Sequence, residues 1–145
     1  MNALNKIFEQ QIVVKSSTDN LAEIRDFTKS AAQQCCFDED STGKIILAVD
    51  EACTNIIKHA YKFTPDGEIN ISIKFSDGKL SIFITDEGTH FDPTTVPEPD
   101  LREYYKQKRV GGLGMFLMKR LMDEVKYGTI AGNKNQVVLI KYLSK

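Results

Sequence analysis

At 145 residues, with 41% of them hydrophobic, the chain has the length of one domain and enough apolar side chains to bury a core. Its formal charge of -1 and pI near 6.1 give no basic footprint for nucleic acid or an anionic membrane. No apolar run reaches membrane-spanning length, and the start Met1-Asn2-Ala3-Leu4-Asn5-Lys6 lacks the apolar centre of a secretion signal, so a cytoplasmic protein with a nucleotide or protein partner is expected.

Residues 6–15, with Ile7, Ile12, Val13 and Val14, are predicted to form a strand. Thr18 or Asp19 can cap a helix carrying Leu21, Ile24, Phe27, Ala31 and Ala32 on one side and ending near Cys36. Residues 37–40 link it to a second helix over 41–61, capped by Ser41 or Thr42, in which Ile45, Val49, Cys53, Ile56 and Ala60 form an apolar stripe. Thr64-Pro65-Asp66-Gly67 is a turn, and 68–75 and 79–85 alternate as a hairpin across Asp77-Gly78. The stretch 87–110 carries Pro93, Pro97, Pro99 and many charges; it is too long for an ordinary connection and reads as a mobile lid. A third helix runs on to about residue 123, and a last hairpin pairs 124–130 with 136–143 around Ala131-Gly132-Asn133-Lys134. The sum is a mixed or antiparallel sheet with helices on one face, an α+β fold. Cys35, Cys36 and Cys53 show no metal or disulfide spacing and are expected to be buried reduced thiols.

Three short motifs carry chemistry. In the second helix Asn55 lies one turn after Glu51; His59 continues that line and Lys58 is close to it. An acid, an amide and a cationic or titratable group thus share one face, although a Glu-x-x-x-Asn pair alone is most simply a solvated surface. Next, the apolar run Ile82-Phe83-Ile84-Thr85 enters Asp86-Glu87-Gly88, where a strand-end carboxylate can accept from an exocyclic amine and a glycine lets backbone approach a flat ring. Last, Arg109-Val110-Gly111-Gly112-Leu113-Gly114 opens the third helix. Each glycine inside a helix costs about 1 kcal/mol relative to alanine, so the cluster points to a backbone that bends or approaches phosphate, helped by Lys108 and Arg109. His90 reads as solvated, no serine has a partner for triad chemistry, and Met115, Met118 and Met122 read as packing.

In order and spacing these motifs resemble the GHKL ATPase superfamily of Bergerat fold, and within it the anti-sigma-factor serine kinases of the RsbW and SpoIIAB type. The likeness rests on Asp50-Glu51-Ala52-Cys53-Thr54-Asn55 with His59 and Tyr61, on Asp86-Glu87-Gly88 with Phe91-Asp92-Pro93, and on Gly111-Gly112-Leu113-Gly114 leading into Met122-Asp123-Glu124-Val125. It implies one ATP-binding kinase domain over residues 1–145, a two-layer α/β sandwich with an ATP lid at about 87–110. Glu51 would be the catalytic base and Asn55 the ligand of Mg²⁺. Asp86 and Gly88 would hold adenine, and Gly112, Leu113 and Gly114 with Arg109 would wrap the phosphates. Lys58, His59, Lys108 and Gln136 are further candidates, while Gly111 serves equally well as a hinge for the lid. Relatives place a threonine on the last hairpin near adenine; here the nearest positions are Asn135 and Gln136, either of whose amides could substitute. The resemblance further implies phosphorylation of a STAS-domain antagonist, binding of a sigma factor and a homodimer. The alternative from another class is a nucleotide-sensing binding module of the same fold that transfers no phosphate.

Overall fold

The computed structural model describes residues 6–89 and 114–143. Strands β1 (Phe8–Lys15), β2 (Glu68–Ser76), β3 (Lys79–Asp86), β4 (Glu124–Ile130) and β5 (Lys134–Tyr142) form one antiparallel sheet in the order β1-β2-β3-β5-β4. Helices α1 (Leu21–Gln34), α2 (Glu39–Asn55) and α3 (Gly114–Leu121) make the second layer, giving the expected α+β two-layer arrangement. No helix among the described residues is long and apolar enough to cross a membrane.

Side chains alternate between the faces of a strand, so register decides what lies under the helices. One row aligns Phe8, Phe75 and Leu80; the next, Ile73, Ile82 and Leu139; the third, Ile12, Ile71, Ile84 and Val137. Nearly all of these are buried, against Leu21, Ile24, Ala31 and Ala32 of α1 and Ile45, Ala48, Val49, Ala52 and Cys53 of α2. Each fully buried aliphatic side chain stabilises the fold by roughly 1.5–3 kcal/mol. The fourth row reads Val14, Ile69, Asp86 and Asn135. The inner face of the sheet therefore changes from apolar to polar at one end of β3 and β5, and the candidate site begins there.

Several predicted boundaries move. Helix α2 is capped by Asp38, whose side chain accepts from Ser41 N at 2.7 Å, so it starts before Ser41 and Thr42 and shortens the link. A carboxylate there both satisfies an orphan amide and faces the positive end of the helix, and that hydrogen bond holds the Asp38 pKa below its ordinary value. Ahead of α1 a short 3₁₀ turn (Thr18–Asn20) is capped by Ser17 in place of Thr18 or Asp19. At the β2–β3 hairpin Asp77 and Gly78 have φ of 52° and 74°, the left-handed pair that a two-residue type I′ turn requires. Helix α3 stops at Leu121, and Asp123 instead accepts from Tyr142 N at 2.7 Å. Cys35 and Cys53 are buried free thiols, burial pushing Cys35 up to about 11 and Cys53 higher still. Cys36 departs from expectation: it is exposed, because the chain leaves α1 there at φ 69° and turns the side chain outward.

Candidate functional site

Helix α2 ends on Asn55, which is buried, with Glu51 one turn earlier and half-buried. Burial raises the Glu51 carboxyl above its ordinary pKa, the adjacent Asp50 charge adds to the rise, and Lys58 draws it partly back. Asp50 is itself held by Arg25 Nε at 2.7 Å, a bond that fastens α1 to α2 beside the site. Past Asn55 the helix widens into a π turn (Ile56–Ala60), closed by Tyr61 N donating to Ile56 O at 3.0 Å. Lys58 stays close enough to act on Glu51, and His59 is exposed. What burial His59 has, followed by the charge of Lys58, lowers its pKa and favours neutral imidazole.

The other half of the site is the turn after β3. Asp86, only 3% exposed, continues the inward series Leu80, Ile82 and Ile84. Its Oδ1 accepts from Gly88 N at 2.9 Å and from Asn135 Nδ2 at 3.0 Å, and Asn135 Nδ2 also donates to Gly88 O at 3.1 Å. This turn is docked on the π turn: Thr89 N donates to Ala60 O at 2.7 Å, and a Cβ on Gly88 would lie 2.6 Å from that same oxygen. Gly88 is thus demanded by the contact between two parts of the chain, a reason the sequence did not disclose. Tyr61 secures the junction. Its hydroxyl donates to Glu68 O at 2.6 Å and accepts from Glu87 N at 2.8 Å, while its ring lies where a Cβ on Gly67 would be 2.4 Å away. Ala60 therefore joins the helix end bearing Asn55 to the strand end bearing Asp86.

Of the two amides proposed near adenine, register separates one from the other. Asn135 pairs with Asp86 on the inner face, but Gln136 pairs with Thr85 and donates to Thr85 Oγ1 at 3.2 Å on the opposite face. Gln136 is thereby corrected: it points away from the Asp86 turn, because β5 starts at Lys134 and its alternation is already fixed by residue 136. Lys108, Arg109, Gly111, Gly112, Leu113 and His90, with the 90–110 part of the expected lid, lie outside the described residues. Gly114 is the first residue of α3, and Met118 and Met122 are buried in the core as expected for packing. The role of the Tyr61 hydroxyl is visible only through its long-range partners, Glu68 and Glu87.

Asn55 is the side chain that could hold a nucleotide-borne magnesium ion. Among the described residues no three His, Cys, Asp or Glu side chains group as a metal cage. Magnesium keeps waters and phosphate oxygens about it and needs few protein ligands, so one neutral amide oxygen on Asn55 suits its chemistry.

A buried strand-end carboxylate thus stands at the end of β3, and a buried asparagine with a carboxylate one turn before it stands at the end of α2. Residues 14–141 match the family described as the histidine kinase-like ATPase domain, and the chain belongs to it. The solved structure of the RsbU and RsbW domains of Rv1364c from Mycobacterium tuberculosis shares the fold, with a TM-score of 0.68 and 16% identity over 95% of this chain and 33% of that one. This chain spans about a third of that structure's length. Within the class, the serine-protein kinase RsbW of Listeria monocytogenes is 36% identical over 118 residues, covering 79% of this chain and 74% of the relative. RsbW of Bacillus subtilis strain 168 is 32% identical over 139 residues, 92% of this chain and 85% of the relative. The chain is a member of this RsbW family.

Proposed function

We propose that this protein is an ATP-dependent serine kinase and anti-sigma factor, acting as one domain in the cytoplasm, that phosphorylates a STAS-domain antagonist in a partner switch. The observation that carries the reading is the convergence, across Ala60, of Glu51 and Asn55 at the end of α2 with the Asp86–Gly88 turn. Relatives named as serine-protein kinases support it. Asp86 accepts from the adenine amine, Asn55 offers its oxygen to magnesium, and Gly112, Leu113 and Gly114 with Arg109 enclose the phosphates. Magnesium held there with the nucleotide would neutralise charge on the phosphate oxygens.

In the transfer, the substrate serine oxygen bonds to the γ-phosphorus, the bond from that phosphorus to the bridging oxygen breaks, and ADP leaves with the electron pair. Glu51 takes the hydroxyl proton. Its raised pKa suits the task, since a base works best when its pKa lies nearer the working pH. Lys58 beside it limits the rise. In the switch, unphosphorylated antagonist holds the kinase and releases sigma factor, and phosphorylation returns the kinase to sigma. A homodimer is the proposed working unit, without direct contact to nucleic acid.

Incubation with Mg-ATP and STAS-domain proteins of the same genome, read by intact mass, tests the reading. One added phosphoryl group on a serine, absent with Glu51→Ala, is the expected result. ATP binding with no protein modified would leave the nucleotide-gated binding module as the function.

A further inference from the structure

We infer that Asn135 and Tyr61 set base selectivity without needing to touch the base, by holding the Asp86–Gly88 turn from opposite sides. The inference rests on the reading of Asp86 as the adenine acceptor. Both partners of the Asn135 amide nitrogen, Asp86 Oδ1 at 3.0 Å and Gly88 O at 3.1 Å, are acceptors. The reverse orientation would set oxygen against oxygen twice, so the network itself fixes which way the amide faces. Both amide hydrogens are then committed, and Asn135 has no spare N–H to offer a guanine carbonyl. Asp86 Oδ1 is correspondingly occupied by two donors, Gly88 N and Asn135 Nδ2, which fix the carboxylate plane and keep the group an acceptor. An acceptor-only rim favours the adenine amine and refuses the guanine oxygen.

Tyr61 acts from the helix side. Its hydroxyl bridges Glu68 O and Glu87 N, so the residue directly after Asp86 is fastened to the start of β2. Ala60, the residue before it, receives Thr89 N and leaves no room for a Cβ on Gly88. The turn is thereby clamped between β5 and the π turn. Asn135 and Tyr61 are positioning residues, and the loss of either frees Asp86 to reorient or to take a water in place of the amine.

Calorimetric titration of the full chain with ATP, GTP and tripolyphosphate tests this, using wild type, Asn135→Ala, Tyr61→Phe and, as reference, Asp86→Asn. Asn135→Ala is expected to weaken ATP about tenfold and GTP less than about threefold, and Tyr61→Phe to weaken ATP about threefold, with tripolyphosphate unchanged in both. A merely structural role would lower all three ligands together or none, and either result overturns the inference. An ATP-to-GTP ratio that collapses in Asp86→Asn but stays at the wild-type value in the other two overturns it while leaving the adenine assignment intact. A ratio unmoved by Asp86→Asn overturns both.

Discussion

The two ends of the site are built differently. At the Asp86 end a carboxylate is buried under a strand row and tied by named hydrogen bonds to Gly88 and Asn135, with Tyr61 and Ala60 holding the turn from behind. At the Glu51 end a carboxylate stands half-exposed on a helix, and its character comes from burial, from Asp50 and from Lys58. One end is fixed by geometry and the other is tuned by electrostatics. The division suits the proposed chemistry, because recognition of a base needs preorganised partners whereas a general base must gain and lose a proton. It also means that the two ends should fail in different ways.

The largest expected effect is at the tuned end. Glu51→Gln should cut phosphoryl transfer by about 10²–10⁴-fold, the range for loss of a general base, while ATP affinity stays within about threefold. The same substitution should raise thermal stability at neutral pH. Because the folded pKa lies above the unfolded one, the native state binds the Glu51 proton more tightly, and ionising the group costs the fold free energy as pH rises through that window. The stability gap between variant and wild type should therefore widen from acid toward neutral pH; a gap that narrows would contradict the raised pKa. Gly88→Ala probes the fixed end. A Cβ 2.6 Å from a backbone oxygen forces the turn off the π turn, and unfolding in denaturant should show a loss of about 1–3 kcal/mol together with weakened ATP. Full stability in that variant would show that the two ends are not joined at Ala60. A smaller change tests the electrostatics alone. Arg25→Ala removes the partner of Asp50, so the uncompensated charge should lift Glu51 further and move the acid limb of the kcat profile up by a few tenths of a pH unit. The pair is partly exposed, and its removal should cost stability about 0–1 kcal/mol.

Much of the fixed end was legible because strand alternation is local. The run from Leu80 to Asp86 reads inward at every second residue, and Asp77-Gly78 names its own turn type. The helix stripe likewise placed Ile45, Val49 and Cys53 in the core. Two features were not legible. The π turn after Asn55 ends on Ala60, where Gly88 and Thr89 dock, a contact between distant segments that no helical periodicity could foretell. The cap of α2 lies three residues before Ser41, itself a good cap in isolation, because Asp38 accepts from the Ser41 amide. Neither feature disturbs the pairing of Glu51 with Asn55, since both lie within the regular part of α2.

The smallest expected effect tests the register on which the fixed end depends. Asn135 and Gln136 are neighbours with similar amides, and only the parity of β5 separates their roles. Gln136 meets Thr85 on the face away from Asp86, so Gln136→Ala should lose one side-chain hydrogen bond, about 0.5–1.5 kcal/mol at most, and leave ATP affinity and the ATP-to-GTP ratio within about twofold. Isothermal titration beside Asn135→Ala gives the comparison directly. A one-residue slip of β5 would exchange the two side chains between faces and carry Val137 and Leu139 out of the core with them. Loss of selectivity in Gln136→Ala but not in Asn135→Ala would therefore contradict more than one residue's role: it would require a different pairing of β3 with β5, and with it a different carboxylate environment at Asp86.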